Sequence, residues 1–144
     1  MSRLIAALTF LAVASIAAAQ SPPKKDLRIQ VLGCAHDRGQ VVANLFREGD
    51  DVLKIKKAYR RVQAKIVGGK ATVVFKDLAY GKYAVSAFHD EDGDAELEHK
   101  FGFPAEPLGF SNNFVMSLSA GLPTFDKLEF QFGANTGVTS ITLK

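Results

Sequence analysis

A run of alternating aspartates between His89 and Glu98 has the residue types that bind a hard cation. The segment reads HDEDGDAELE, so an oxygen-bearing side chain stands at every second position, and Gly93 permits a tight bend between them. Calcium takes six to eight oxygen ligands at about 2.3–2.6 Å, and alternating carboxylates on a turned loop can supply several of them. The sequence therefore predicts a calcium site whose ligands are the acids of this loop: Asp90, Asp92, Asp94, Glu96 and Glu98.

This loop departs at two positions from the calcium loop that joins two helices. With Asp90 as the first ligand, Ala95 falls where the sharp turn favours glycine, and Phe101 falls where a bidentate acid is usual. Calcium remains the expected cation because an all-protein oxygen cage suits it better than magnesium, and we expect it to have a structural role on a β scaffold. The alternative is a solvated surface loop whose acids repel one another only modestly.

Two histidines flank the acids and support two further hypotheses. His89 and His99 could join the carboxylates in a zinc or copper site, although two histidines ten residues apart do not define a tetrahedral geometry. A hydrolase would use His89 as general base, Asp90 to orient it, and Ser111 or a metal-bound water as nucleophile. Because the acids are grouped for ligation and the sequence shows no clear catalytic or phosphate-binding motif, we expect that the protein is not an enzyme.

The first residues are typical of a secretory signal peptide. Arg3 precedes an apolar run over residues 4–16, and small residues follow as far as Ala19. A membrane span needs about 20 apolar residues, and this run gives way to alanines and prolines sooner. We therefore expect a signal peptide over residues 1–19, one domain over residues 20–144, a periplasmic or secreted location, and no transmembrane anchor after cleavage.

Charge is unevenly distributed along a chain whose net charge is +3. The basic residues concentrate in one stretch, which contains Lys54, Lys56, Lys57, Arg60, Arg61, Lys65 and Lys70. The predicted export and the lack of a nucleic-acid-binding motif argue against a nucleic acid partner, so an envelope component or a small ligand is expected. The single cysteine, Cys34, is expected to be buried because it has no partner for a disulfide, and a nucleophile beside His36 is the alternative.

Apolar residues recur with a period of two along most of the chain, which is the pattern of β-strands. Residues 26–32 and 40–48 alternate in this way and are expected to pair as a hairpin, whereas residues 61–66 predict a charged edge strand. Residues 82–90 contain neither proline nor glycine, so they are expected to form a central strand that leads into the acidic loop. Short strands between glycine-rich turns predict an all-β sandwich of about seven strands.

Prolines and glycines interrupt residues 101–113, so we expect no regular structure there. We expect the aromatic rings of this segment, Phe101, Phe103 and Phe110, to fold back and cover an open end of the core. The alternative is that these rings, together with Tyr80, form a platform that carries a small apolar ligand or a glycan.

Several short motifs follow one another between residues 78 and 113. They comprise Gly81 and Tyr83, the His-Asp-x-Asp-Gly-Asp run at 89–94, then Gly102, Pro104 and Glu106, and Gly-Phe-Ser-Asn at 109–112. In these motifs the chain resembles the exported bacterial family designated domain of unknown function 2141. The resemblance implies an exported, immunoglobulin-like or prealbumin-like β-sandwich with no assigned biochemical role. Ala95 and Phe103 depart from the family pattern, which has glycine and isoleucine there.

Overall fold

The computed structural model describes residue 15, residues 17–138 and residues 140–144, so most of the predicted signal peptide lies outside the described residues. The described chain forms an all-β sandwich, as predicted. Its strands are β1 (Lys24–Leu32), β2 (Gln40–Arg47), β3 (Arg60–Lys65), β4 (Ala71–Ala79), β5 (Gly81–Asp90), β6 (His99–Lys100), β7 (Phe103–Pro104), β8 (Leu108–Phe110), β9 (Phe130–Phe132) and β10 (Ser140–Thr142). Two 3₁₀ turns, Ile55–Lys57 and Ser111–Asn113, and one helical turn, α1 (Phe125–Leu128), complete the described secondary structure. None of the described helices is long and apolar enough to cross a membrane.

Two sheets form the sandwich, and β1 and β2 lie in different sheets. One sheet has the order β10-β1-β4, with β10 parallel and β4 antiparallel to β1. The other has the order β3-β2-β5-β8, and β9 pairs with another part of β5. The predicted hairpin between the first two strands is therefore wrong. Residues 33–39 carry the chain from one sheet to the other, and alternation within a strand does not specify its neighbour.

The main core lies between the sheets, and a second cluster covers the outer face of the larger sheet. Ile29, Val41, Val73 and Val85 are among the side chains of the main core. The second cluster comprises Phe46, Val52, Ala84, Phe110, Phe125 and Leu128. Each fully buried aliphatic or aromatic side chain stabilises the fold by about 1.5–3 kcal/mol. Strands β2 and β5 are covered on both faces, which confirms the predicted central position of β5 and the edge position of β3.

Residues 99–110 contain more regular structure than the sequence predicted. Strands β6 and β7 form a short hairpin, and β8 pairs with β5. Phe110 is buried at 5% exposure, but Phe101 and Phe103 are 101% and 74% exposed, so the expectation that all three rings cover the core is wrong. Phe101 lies in the hairpin turn with φ at 53°, and the hairpin carries its ring away from the sandwich.

The C-terminal residues join the two sheets. The Leu143 amide donates a hydrogen bond to the Leu32 carbonyl at 2.9 Å, and Lys144 exchanges two backbone hydrogen bonds with Leu108. Gly109 permits this close approach, since a Cβ at that position would lie 2.7 Å from the Thr142 carbonyl oxygen. The glycine of the Gly-Phe-Ser-Asn motif is therefore needed for packing.

Candidate metal centre

The end of β5 directs successive side chains to opposite faces of its sheet. Its core-facing residues include Val85 and Ala87, so His89 continues the face that lies between the sheets. Asp90 follows on the opposite face, with Gln40 of β2 as its register partner. Both His89 and Asp90 are 0% exposed. The strand therefore holds a buried imidazole and a buried carboxylate side by side in sequence but on different faces.

Three hydrogen bonds hold the Asp90 carboxylate. Its Oδ2 accepts from the Gln40 side-chain amide at 2.7 Å and from the Ala95 backbone at 2.8 Å, and its Oδ1 accepts from the Gly93 backbone at 3.0 Å. Burial raises the pKa of Asp90, but these donors outweigh it, and the pKa lies below its usual range. Asp90 is therefore a negatively charged group in a fixed position.

Carboxylate oxygens of Asp90, Asp92 and Asp94 lie within 4.8 Å of one another. Asp92 Oδ1 accepts from the Asp94 backbone at 3.2 Å, and Asp94 Oδ1 accepts from the Glu96 backbone at 2.8 Å. The bond from Asp94 lowers the pKa of Asp92, but the facing Asp90 carboxylate and the Asp94 charge oppose it, and the pKa is raised overall. The three carboxylates thus repel one another when all are ionised.

Ala95 makes the sharp turn at which a calcium loop favours glycine. Its φ is 62°, in the left-handed region, and its carbonyl oxygen accepts a hydrogen bond from Arg61 Nη2 at 2.7 Å. The loop therefore has the backbone turn of a cation loop without the residue that favours it, at a cost of about 1–2 kcal/mol.

Glu96 and Glu98, the other two predicted ligands, do not join this cluster. Glu96 Oε1 lies 2.8 Å from Lys56 Nζ, so part of the basic stretch pairs with the acidic loop. Glu98 is not part of the aspartate cluster, and it lines a cavity of about 330 Å³ that His36 also lines. The structure thus brings together three of the five predicted ligands.

The buried carboxylate of Glu106 holds the two ends of the loop. Its Oε1 accepts from the Glu91 backbone at 3.0 Å, and its Oε2 accepts from the Glu98 backbone at 3.2 Å. The motif that contains Glu106 did not indicate this role. The available signal was one acid placed between Ala105 and Pro107 in a segment rich in apolar residues.

A second cluster, His36, His89 and Glu91, places donor atoms of three residues within 4.8 Å of one another. The His36 and His89 rings meet edge to face with centroids 4.7 Å apart, and His36 Nε2 lies 3.4 Å from Glu91 Oε1. His99, which the sequence paired with His89, is exposed on β6 and is outside this cluster. The partner of His89 comes instead from residues 33–39, which no spacing along the chain indicated.

The residues suggested as nucleophiles are held in structural contacts. Ser111 is fully buried, and its Oγ accepts from the Val85 amide at 3.0 Å and lies 2.6 Å from the Leu128 carbonyl oxygen. His89 Nε2 instead donates to the Arg38 carbonyl oxygen at 2.7 Å, so the proposed pair with Ser111 is not formed. Cys34 is buried as predicted, and burial raises the pKa of its thiol, which disfavours the reactive thiolate.

An apolar groove of about 800 Å³ runs along the 101–113 segment, and its lining includes residues from Gly102 to Asn113. Phe103, Phe110, Phe114, Met116, Leu118 and Leu122 are among its lining residues. Phe103, Leu118 and Leu122 are largely exposed. Tyr80 is not part of this groove, because its ring packs against Phe132. Of the four rings that were predicted to form an aromatic platform, Phe103 and Phe110 line this groove.

Comparison with known proteins agrees with the motifs described above. No curated protein and no solved structure matches the chain. The sequence profile described as "Uncharacterized protein conserved in bacteria (DUF2141)" matches residues 29–140, which is more than half of the chain. The match confirms the resemblance drawn from residues 78–113 and extends it over both sheets. The chain belongs to the DUF2141 family of bacterial proteins.

Proposed function

We propose that this protein is an exported, non-enzymatic β-sandwich of the cell envelope whose aspartate loop binds calcium in a structural role. The observation that supports the proposal is the convergence of oxygens from Asp90, Asp92 and Asp94 within 4.8 Å. Like charges at this separation disfavour the folded loop, and a divalent cation removes that repulsion. The calcium loop would then fasten one end of the sandwich.

The hydrogen bonds of the loop leave oxygen sites for a cation. A carboxylate has about four lone-pair sites, and Asp90 uses three of them for protein donors. Asp92 and Asp94 each accept one backbone hydrogen bond, so most of their sites remain free. Calcium suits this arrangement because it accepts irregular geometry and can complete its shell with carbonyl oxygens and water.

Thermal unfolding of the purified protein during calcium titration tests the proposal. Calcium at 100 times its dissociation constant is expected to add about 2.7 kcal/mol to the free energy of unfolding, and magnesium is expected to add less. The variant Asp94→Asn is expected to lose most of this response. Asp126→Asn, which changes an exposed aspartate on α1, is the matched control. A wild-type melting temperature that calcium leaves unchanged contradicts the proposal.

A second candidate function is the transport of a small apolar ligand in the groove beside β7 and β8. The groove is lined by phenylalanine, leucine and methionine side chains, which favours an apolar ligand over a glycan. Exposed large apolar side chains that border one cavity are uncommon unless they bind something. Asp90, Asp92 and Asp94 do not line the groove, so this function does not use the proposed calcium ligands.

Fluorescence of 8-anilinonaphthalene-1-sulfonate, a probe of exposed apolar surface, tests this candidate. The folded protein is expected to bind the probe at one saturable site, and Leu122→Ser is expected to weaken binding because it makes the groove rim polar. Val67→Ser, which changes an exposed apolar residue outside the groove, is the control. Equal probe binding by Leu122→Ser and the wild type would refute this function.

A further inference from the structure

His89 has a buried ring nitrogen with no hydrogen-bond partner among the residues that the structure describes. Its Nε2 lies 2.7 Å from the Arg38 carbonyl oxygen, which can only accept, so Nε2 carries the hydrogen. Its Nδ1 is buried and has no hydrogen-bond partner among the described residues, and the same is true of His36 Nδ1. Buried polar atoms are nearly always partnered, so two such nitrogens on adjacent rings point to a ligand that the protein itself does not supply.

The hydrogen bond from Nε2 prepares His89 as a metal ligand. Donation to a backbone carbonyl fixes the tautomer, leaves the lone pair on Nδ1 and sets the ring orientation. Metal-binding histidines usually make such a bond with the nitrogen that does not contact the metal. His89 is fully buried on β5, whereas His36 and Glu91 lie outside the strands, where their side chains can adjust.

The adjoining cavity has the charge that a cation favours. It has a volume of about 330 Å³ and is bordered by His36 and Glu91 together with other charged residues. Glu91, Asp92, Glu98 and Glu106 contribute four carboxylates, whereas Arg38 and Lys100 contribute two positive charges. The negative excess favours a cation, and the opening allows it to enter from solvent.

We propose that His36, His89 and Glu91 form a transition-metal site, with zinc as the preferred ion. The donor set is two imidazole nitrogens and one carboxylate oxygen, which suits zinc and disfavours calcium and magnesium. Zinc with three protein ligands keeps a fourth position open for water or for a ligand group. This site goes beyond the proposed calcium function, since it uses other side chains and a different class of ion.

Isothermal titration of zinc sulfate into protein that lacks a polyhistidine tag and has been freed of metal by chelation tests the proposal. The wild type is expected to bind one equivalent of zinc. His36→Ala is expected to weaken zinc binding by about 100-fold or more, since loss of an outer contact to a metal ligand already costs about 10–100-fold. Visible absorption of the cobalt-substituted protein should report a tetrahedral site in the wild type and lose that band in His36→Ala.

Matched variants separate this site from the aspartate loop. His99→Ala removes the exposed third histidine and Asp94→Asn removes a loop acid, and both are expected to keep the zinc affinity of the wild type. Glu91→Gln, at an exposed position, carries the test if His36→Ala does not fold, and it is expected to weaken zinc binding. A wild type that binds no zinc, or a folded His36→Ala with unchanged zinc affinity, overturns the proposal. Loss of zinc binding in Asp94→Asn would place the zinc in the aspartate loop and also overturns it.

Discussion

The aspartate loop and the histidine cluster begin at neighbouring residues, yet they differ in donor atoms, burial and origin. The loop offers oxygens from Asp90, Asp92 and Asp94, which lie within five residues of the chain. The histidine cluster offers two nitrogens and one oxygen, and it needs His36 from the connection between the two sheets. Side chains alternate between the two faces of a strand, so one strand end can present two sets of donor atoms that suit different cations.

The comparison also shows what the two clusters share. Gly39 packs against the backbone at the end of β5, and Glu106 holds both ends of the loop that leaves it. Changes in these shared residues should affect both clusters, whereas changes in the donor residues should affect one.

Gly39→Ala should disrupt both clusters together. A Cβ at this position would lie 2.1 Å from the Asp90 carbonyl oxygen, and the glycine φ of 74° is unfavourable for alanine. The free energy of unfolding is expected to fall by about 2–5 kcal/mol, from backbone strain and overpacking combined. Urea denaturation measures the loss, and Gly68→Ala, at positive φ in open space, is the control that contains the strain without the clash. Equal losses in the two variants would contradict the packing argument.

Glu106→Gln should loosen the loop that both clusters use. Glutamine has one acceptor oxygen, so one of the two backbone amides of Glu91 and Glu98 loses its partner. The expected cost is about 1–3 kcal/mol, with weaker binding of both calcium and zinc. Denaturation and titration with each ion measure the two effects, and Glu48→Gln, on an exposed acid, is the control. Weaker binding of only one of the two ions would show that Glu106 supports a single cluster.

Ala95→Gly should improve the aspartate loop alone. Removal of the side chain relieves the left-handed backbone, and the entropy of glycine in the unfolded chain offsets part of the gain. The free energy of unfolding is expected to rise by about 0.5–1 kcal/mol, calcium to bind more tightly, and zinc binding to stay the same. Ala105→Gly, in the neighbouring segment without positive φ, should be destabilising. A gain in zinc affinity would show that the two clusters are coupled through this turn.

Asp92→Asn should stabilise the metal-free protein while it abolishes the calcium response. The pKa of Asp92 is raised above its ordinary value of 3.8. Asp92 therefore contributes to stability below pH 3.8, and this contribution is lost as the pH rises through the folded-state pKa. Asparagine stays neutral and can keep the bond from the Asp94 amide, so its advantage over the wild type should appear as the pH rises from 3.8 towards neutral. Thermal unfolding in chelator across this range checks the prediction. A difference that does not vary with pH would mean that the charge of Asp92 is not responsible.

The strands and the local part of the site were predictable because both depend on neighbouring residues. Alternation located β1, β2 and β5, and the alternate aspartates located three residues that do converge. The turn at Ala95 was also predictable from its place in the loop, although its residue type argued against it. Local sequence therefore indicates the three converging aspartates, whereas the contacts of Gln40 and Glu106 that hold the loop come from distant segments.

Contacts between distant segments were not predictable in the same way. The partner of His89 is His36, and the sequence pointed to His99 because it lies closer to the acids. The clamp by Glu106 depends on β8 pairing with β5, and the prolines of residues 101–113 concealed that pairing. Single-sequence periodicity gives the faces of each strand but not its neighbours, so these tertiary contacts required the structure.

The parallel pairing of β1 with β10 has a consequence for the order of events during folding. Gln30 pairs with Ser140, so one edge of β1 stays open until a segment far along the chain reaches it. Closing so long a loop is slow compared with forming hairpins. During that interval the positive charges of Lys24, Lys25 and Arg28 on β1 oppose association with other unfinished chains. The pairing of β10 with β1 is therefore expected to be a late step of folding.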